Sequence, residues 1–403
     1  MTLASFGTSL LGYVFNLIVA RFFPLDIYGE LMAAMVYLGL LTVPFGAVNV
    51  LLIRRVGLTS IKERQSLIGA IEDWVSELVR KRFFVLLFVL LAVFFLIVTQ
   101  TNLRVESAIW ILLMTIVSLA TILYSASLQA FKSFIASGSL NIITTLFKIV
   151  AGCLVLWLMP SLGTLYGAMI LASVAAFFVA RKLVRKKSDR LKTFVYKLAS
   201  PFSFLTKRSI LIPTLATVGM VGILSLDVMV VKRFFSPDQA GLYAALSLLS
   251  KIVLYISAPL ATVAYTFFTG SDTKQDGSKI LLTTSLLVLF GGLILFLAYY
   301  LAPELIVTLI FGQKFLSIAP QAYLAAIFGV SYSLAYLFNQ YLISKNHPAS
   351  MWSAIVMVIQ VLALITFHET FAQVLYIGIG ATTLLNLISL ASIIKIPLLK
   401  NRF

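Results

Sequence analysis

Two lysines lie inside long apolar segments of this 403-residue chain. Lys251 is about ten residues into one segment, hence about 15 Å deep at the helical rise of about 1.5 Å per residue. Lys148 is about eight residues into another, between Phe147 and Ile149. An ionisable side chain at such depth in an apolar segment indicates a functional site. We expect these lysines to bind an anionic head group, the alternative being that they snorkel outward or pair with a carboxylate.

Asp227 is the only acidic residue that we place within an apolar segment, and Lys232 and Arg233 follow shortly after it. One interpretation is a local ion pair with these neighbours. The other is a proton or sodium coupling site, because a carboxylate held away from water can exchange a proton or a cation. If Asp227 pairs with Lys251 across a cavity, cargo and coupling ion compete for one site.

A nine-residue motif occurs twice, 212 residues apart. Arg21-Phe22-Phe23-Pro24-Leu25-Asp26-Ile27-Tyr28-Gly29 returns as Arg233-Phe234-Phe235-Ser236-Pro237-Asp238-Gln239-Ala240-Gly241, with five identical positions. Each copy closes one apolar segment and opens the next, so the chain is predicted to have two related halves. We expect the arginines to cap helices or to form a basic rim for phosphate, the aspartates to N-cap the next helix, and the glycines to allow a tight turn.

Polar side chains follow one face of a predicted helix near residue 336. Their spacing fits stacking on sugar rings and hydrogen bonding to them, or alternatively polar packing between helices. Pro44 and Pro259 lie in other predicted helices, where kinks would allow gating. The residues of the polar face are Tyr332, Tyr336, Asn339 and Gln340.

The composition is that of an integral membrane protein. The chain is 61% hydrophobic and 11% charged, with a mean hydropathy of +1.05, whereas soluble domains carry about 25% charged residues. Apolar runs of about 18 residues or more recur along the chain, which predicts membrane-spanning helices. We predict an all-α polytopic fold with twelve spans, at about 3–20, 31–53, 83–100, 107–130, 140–158, 162–180, 209–231, 240–269, 280–302, 320–344, 348–367 and 371–394.

The basic residues predict the orientation of these spans. With a cytoplasmic N-terminus, 24 of the 31 Lys and Arg residues fall in cytoplasmic loops and the C-terminal tail, and 5 fall on the other side. This asymmetry predicts a multi-pass protein of the cytoplasmic membrane with both termini inside. It also argues against a nucleic-acid-binding role for the net charge of +17. With one cysteine and two histidines, we expect neither a disulfide framework nor a metal site.

Two predicted cytoplasmic loops are long and basic. Residues 61–82 carry apolar residues at helical spacing, which predicts an amphipathic helix on the anionic inner leaflet. Residues 181–208 form a basic linker between a six-helix N-terminal lobe, 1–180, and a six-helix C-terminal lobe, 209–403. Because six is even, the two lobes have the same predicted orientation and form a parallel repeat.

Several motifs resemble those of a known family. Ala20-Arg21-Phe22-Phe23 through Tyr28-Gly29 is similar to the first-loop signature of Wzx-type polysaccharide biosynthesis flippases, in the multidrug/oligosaccharidyl-lipid/polysaccharide (MATE-like) superfamily. Asp227, Lys232-Arg233-Phe234-Phe235 and Ala240-Gly241-Leu242-Tyr243 resemble that family's seventh-to-eighth helix junction. Pro303-Glu304-Leu305 through Ile310-Phe311-Gly312-Gln313-Lys314-Phe315 resembles its loop after the ninth helix.

The resemblance implies a flippase with two pseudo-symmetric six-helix lobes around a central cavity that opens alternately to each side. The implied cargo is an undecaprenyl-pyrophosphate-linked oligosaccharide for surface polysaccharide export, with H⁺ or Na⁺ as counter-ion and no cofactor. A polysaccharide polymerase and a chain-length regulator are the implied partners, beside membrane lipids. The expected cargo-binding residues are Lys251, Lys148, Arg21, Arg233, Tyr332, Tyr336 and Asn339, and the expected ion-coupling residue is Asp227.

Two other functions remain open from the residues. A MATE-like cation or drug antiporter would favour acidic residues in the spans, whereas the predicted spans hold two lysines and one aspartate. A membrane-embedded glycan polymerase or acyltransferase would need grouped acid, base or nucleophilic residues. In the short outer loops only His368-Glu369 and Glu304 are chemically suited to such a role. We therefore expect a transporter rather than an enzyme.

Overall fold

A computed structural model describes residues 2–58, 64–130, 134–158, 161–188, 207–270 and 274–400. In these ranges the chain is helical and contains no β-strand. The described residues form fourteen α-helices in sequence, with short 3-10 segments at Gln313–Gln321 and Pro348–Met351. The helices are α1 Thr2–Phe22, α2 Leu25–Leu58, α3 Arg64–Lys81, α4 Phe83–Thr101, α5 Val105–Ala130, α6 Phe134–Leu158, α7 Leu162–Ser188, α8 Lys207–Phe234, α9 Pro237–Gly270, α10 Lys274–Leu301, α11 Pro303–Ile310, α12 Ala322–Ser344, α13 Trp352–Thr366 and α14 Phe371–Lys400.

The predicted all-α polytopic membrane fold is confirmed. Each of the twelve predicted spans coincides with one long helix, and α3 and α11 are the two α-helices that match none. Within the described ranges, eleven helical segments are long and apolar enough to cross a bilayer, and Gly7–Phe22 in α1 is a shorter apolar segment. The helices α2 and α9, which contain Pro44 and Pro259, each run without interruption for 34 residues.

The chain divides into two compact units. One contains Leu3–Phe15 and Tyr37–Lys207, and the other contains Asn16–Val36 and Arg208–Phe403. The end of α1 and the start of α2, which carry the first copy of the repeated motif, therefore pack with the C-terminal helices. Of the predicted linker 181–208, the first eight residues continue α7 to Ser188, and residues 189–206 lie outside the described ranges.

Helix α9 is the most enclosed described span of the second unit, because 78% of its apolar 18-residue stretch is buried. In α4 of the first unit, 6% of the corresponding stretch is buried. Glycines allow close helix contacts around α9 and α8. A side chain at Gly329 of α12 would collide with the carbonyl oxygen of Ser250 in α9, and one at Gly219 of α8 would collide with the backbone of Ser353. These contacts follow the general use of small residues where helix backbones approach each other in membranes.

Candidate functional site

Asp227 is a buried carboxylate in α8, with 2% of its surface exposed. The hydroxyl of Tyr243, in α9, donates a 2.7 Å hydrogen bond to its Oδ2 atom. The backbone N–H of Val228 donates a 2.8 Å hydrogen bond to Oδ1. Both oxygens of the Asp227 carboxylate thus accept hydrogen bonds from donors in the second unit, which fixes the orientation of the carboxylate.

Lys251 lies on α9, eight residues after Tyr243, and is also buried, with 7% exposed. Its ammonium group interacts electrostatically with Asp227. Among the described residues it makes no hydrogen bond and no ion pair within 4.0 Å. The structure therefore places both residues in one unit, on consecutive helices, with the lysine not directly paired.

Glu30 and Lys232 form a second buried charged pair. The Lys232 Nζ and Glu30 Oε2 atoms are 2.7 Å apart, with 6% and 1% of the two side chains exposed. The expectation that Asp227 is the only acidic residue within a span is wrong. Helix α2 begins at Leu25, six residues before the predicted span, and so includes Glu30. The expected local ion pair of Lys232 goes to Glu30 instead of Asp227.

The two copies of the repeated motif contact each other at their glycines. A Cβ atom at Gly29 would lie 2.6 Å from the backbone nitrogen of Gly241, and one at Gly241 would collide with the carbonyl oxygen of Leu25. Both glycines lie inside helices, α2 and α9, so the prediction that they serve a tight turn is wrong. They are glycines because two helix starts meet there with no room for side chains.

The aspartates of the motif were expected to be N-caps, and this prediction is also wrong. Asp26 and Asp238 lie in the first turns of α2 and α9, because these helices start earlier than the charge pattern suggested. Ser236 precedes α9 and forms a capping box with Gln239. The Ser236 N–H donates to the Gln239 side chain at 3.1 Å, and the Gln239 N–H donates to the Ser236 hydroxyl at 3.4 Å.

Arg21 and Lys314 cap each other's segments. The Arg21 guanidinium donates to the carbonyl oxygens of Ile310, at 3.3 Å, and Leu309, the last two residues of α11. The Lys314 ammonium donates to the carbonyls of Arg21, at 3.2 Å, and Phe23, at the end of α1. Positive groups stabilise the free carbonyls of a helix C-terminus. This geometry favours the capping interpretation of Arg21 over the phosphate rim, although the capped helix is α11 instead of α1.

The repeat-related Arg233 has different surroundings. It is exposed in the last turn of α8, with its guanidinium carbon 5.5 Å from the ring centroid of Phe234. The Phe234 ring in turn lies 4.0 Å from the ring of His368. The symmetry of the motif therefore does not extend to its arginines.

The polar face of α12 is turned toward α8 at two of its expected cargo-binding positions. Tyr332 is buried, and its hydroxyl donates to the Met220 carbonyl at 3.0 Å. Asn339 is buried, and its amide donates to the Ala216 carbonyl at 3.5 Å. Both contacts fit the alternative of polar packing between helices. Tyr336 is half-buried and packs against the apolar cluster that contains Met220 and Tyr332.

Lys148 lies in α6 of the first unit, where it is half-buried, and it makes no hydrogen bond among the residues that the structure describes. An apolar groove of about 510 Å³ lies between α6 and α7 next to it, lined by Phe147, Ala151, Leu154, Val155, Thr164, Ala168, Leu171, Ala172 and Ala175. The described ranges contain no group of three or more His, Cys, Asp or Glu residues that could hold a metal ion.

Sequence reasoning missed Glu30, Tyr243 and Lys314. Glu30 and Lys232 directly flank the two motif copies, at positions where the repeat places Leu242 and Ala20. The signal available in the sequence was a pair of opposite charges, one beside each copy of the repeated motif. Tyr243 and Lys314 lie in the motifs on which the resemblance rests, but nothing in their spacing indicated their partners.

A buried carboxylate with a neighbouring unpaired ammonium group can exchange partners, because each charge needs a counter-charge in an apolar environment. An anion that reaches Lys251 would satisfy the ammonium group, and a proton or metal cation would satisfy Asp227. The arrangement therefore suits reversible binding of charged groups better than covalent catalysis.

No protein-family model matches the chain, and no curated protein matches it. Among solved structures, the lipid II flippase MurJ in an inward closed conformation has a TM-score of 0.71 at 15% identity, over 97% of this chain and 86% of that one. An inward-facing multidrug resistance MATE family transporter of the MOP superfamily has a TM-score of 0.64 at 12% identity, over 98% and 96%.

A third structure is a MOP superfamily transporter from Pyrococcus furiosus, described as having a binding pocket of reverse polarity that suggests a different function. It has a TM-score of 0.61 at 13% identity, over 98% of this chain and 95% of that one. At identities this low, the likeness is one of fold. This chain is a multi-pass membrane protein with the fold shared by MurJ and the MATE transporters of the MOP superfamily.

The glycine contact between the motif copies leads to a first prediction. We expect Gly241→Ala to lower the free energy of unfolding by about 1–3 kcal/mol, because the added methyl group forces the two helix starts apart. The measurement is the unfolding midpoint of the purified protein in detergent. The control is Gly39→Ala in α2, the helix whose start Gly241 contacts, because an added Cβ atom at Gly39 meets nothing within 4 Å. Equal midpoints for the two variants would contradict the contact.

Proposed function

We propose that this protein is a flippase for a lipid-linked anionic oligosaccharide, carried on a polyprenyl pyrophosphate across the cytoplasmic membrane by alternating access. The observation that carries the proposal is the buried Lys251 ammonium group, which interacts with Asp227 but makes no hydrogen bond among the described residues. The likeness in fold to MurJ, a lipid II flippase, and to MATE transporters supports a transport role.

The pyrophosphate is the part of such a cargo that the membrane excludes. A phosphate cannot cross hydrocarbon without a counter-charge, because burying an unpaired charge is very costly. A charge-assisted hydrogen bond from a buried lysine is short and strong, and it would hold the phosphate while the lipid tail stays in the bilayer. Lys148 is the second lysine that we assign to this path, and export of surface polysaccharide is the process that such a cargo would serve.

A test of this function uses liposomes that contain the purified protein and a polyprenyl-pyrophosphate oligosaccharide labelled on its sugar. A membrane-impermeant quencher reports how fast inner-leaflet label becomes accessible. We expect transfer to be at least tenfold faster than in protein-free liposomes. A matched carrier lipid with a neutral link in place of the pyrophosphate should not be transferred.

The alternative function is a cation or drug antiporter, which the buried carboxylates of Asp227 and Glu30 would favour. Glu30 is already neutralised by Lys232 at 2.7 Å, so of these two carboxylates Asp227, which has no ion pair within 4.0 Å among the described residues, is the candidate for a cation. A fluorescent organic cation in the same liposomes distinguishes the two functions. Transfer of the cation without transfer of the lipid-linked oligosaccharide would favour the antiporter.

Ion coupling is assigned to Asp227 in this proposal, with Tyr243 as its hydrogen-bond donor. We expect Asp227→Asn to abolish the acceleration that an imposed proton or sodium gradient gives, because the amide cannot carry the negative charge that binds the ion. Exchange without a gradient should continue. The measurement is the transfer rate with and without each gradient, and a gradient response equal to that of the wild type would remove Asp227 from this role.

A further inference from the structure

The apolar stripe of α3 is covered by protein over only half its length. Its N-terminal part, Leu67, Ile68 and Ile71, is buried in a cluster of the first unit that includes Leu128 and Leu140. Further along the same helix face, Val75 and Val79 are 43% and 45% exposed. Positions 67, 71, 75 and 79 follow helical spacing, so one continuous stripe emerges from the protein.

A polar contact fixes the buried half of α3. The Tyr124 hydroxyl donates a 2.8 Å hydrogen bond to Glu72 Oε1, and the Arg185 guanidinium lies 3.7 Å from Glu72 Oε2. Helix α3 is therefore anchored to α5 and α7 at its first half. Its exposed half projects from this anchor with a fixed position.

Three consecutive exposed basic residues lie here, with Arg80 and Lys81 ending α3 and Arg82 joining it to α4. Lys81 pairs with Glu77 at 2.6 Å on the helix surface, which leaves a net positive patch. Phe83 begins α4 directly afterwards, and Phe83 and Phe84 are 52% and 81% exposed. Because α4 crosses the bilayer and has only Ile97 and Thr101 buried, its first residue marks the edge of the hydrocarbon.

We infer that the end of α3 is a binding site for anionic phospholipid head groups, a role separate from the transported cargo. Arg80, Lys81 and Arg82 lie at head-group depth, and Val75, Val79, Phe83 and Phe84 face the acyl chains beside them. An amphipathic segment with basic residues binds anionic membranes by apolar burial together with charge attraction. Each basic residue near such a surface contributes about 1 kcal/mol, which is roughly a fivefold preference.

The inferred site is tested with Trp74, which is half-buried on α3. A variant with the substitutions Trp110→Phe, Trp157→Phe and Trp352→Phe keeps Trp74 as its single tryptophan. It is placed in nanodiscs in which either the phosphatidylglycerol or the phosphatidylcholine is brominated, at equal mole fractions. We expect stronger quenching of Trp74 by the brominated anionic lipid. Replacing Arg80, Lys81 and Arg82 by glutamine should reduce the preference for the anionic over the neutral lipid, as reported by this quenching, at least tenfold.

Lys279→Gln, an exposed basic residue at the start of α10, should leave the preference unchanged. Soluble glycerol phosphate should not compete, because the site needs the acyl chains as well as the charge. Equal quenching by both lipids, absence of quenching by either, or an unchanged preference in the triple variant would overturn the inference. No transport is measured, so the result is independent of the proposed function.

Discussion

Replacing Lys251 with methionine should weaken binding of a pyrophosphate-linked cargo by on the order of 100-fold, and translocation should fall accordingly. A hydrogen bond from a charged donor is worth about 1.5–3 kcal/mol, and this one forms in an apolar environment. Lys251 has 7% of its surface exposed, so water cannot replace the lost group easily. The measurement is the transfer rate of labelled cargo in liposomes as a function of cargo concentration.

The control for this prediction is the folding stability of the Lys251→Met protein. Methionine removes a buried ammonium group that is not directly paired, while Asp227 keeps its hydrogen bonds from Tyr243 and Val228. The Lys251→Met protein should therefore lose less folding stability than Lys232→Met, which removes the directly paired counter-charge of Glu30. Lys251→Arg, which keeps the charge, should retain part of the activity. A methionine variant that transfers cargo at the wild-type rate would contradict the role of Lys251.

The second large effect concerns the Glu30–Lys232 pair. We expect Lys232→Met to lower the free energy of unfolding by about 3–5 kcal/mol, because it removes the ammonium group that lies 2.7 Å from the buried Glu30 carboxylate. The double variant Glu30→Leu with Lys232→Met should recover most of this loss, since an apolar pair of similar volume replaces the ion pair. The measurement is the denaturant midpoint of each purified protein in mixed detergent.

An exposed ion pair in the same chain provides the comparison. Glu77 and Lys81 are 2.6 Å apart, close to the 2.7 Å of Glu30 and Lys232, but 50% and 69% of their side chains are exposed. Glu77→Gln should cause no measurable change in the midpoint, because water screens an exposed pair. Similar losses for Lys232→Met and Glu77→Gln would show that burial does not determine the strength of these pairs.

The helices were predictable because lipid imposes a simple rule. A span needs a long apolar run and satisfies its own backbone, so apolar length, with cuts at charges and at breakers such as Pro303, located the twelve spans that match helices in the described ranges. Helix starts were less predictable. The charges Asp26, Glu30 and Asp238 suggested loops, but they lie inside α2 and α9, where Glu30 is paired and the aspartates occupy first turns.

The candidate site was predictable in its residues and not in its partners. Asp227 and Lys251 stood out because charges are rare in apolar segments. The contacts of Arg21 with α11, and of Gly29 with Gly241, join residues more than 200 positions apart in the chain. Periodicity reports which side of a helix is apolar, but it carries no information on which distant helix covers that side.

Lys251 is proposed to bind an anionic cargo, and the affinity of the protein for matched carrier lipids tests this most directly. The same oligosaccharide is attached to one polyprenyl chain through a pyrophosphate or through a neutral link, and binding to the purified wild type and to Lys251→Met is measured by fluorescence. We predict that the wild type binds the pyrophosphate form at least tenfold more tightly, and that methionine removes this preference. Equal affinity of the wild type for both forms would contradict the account.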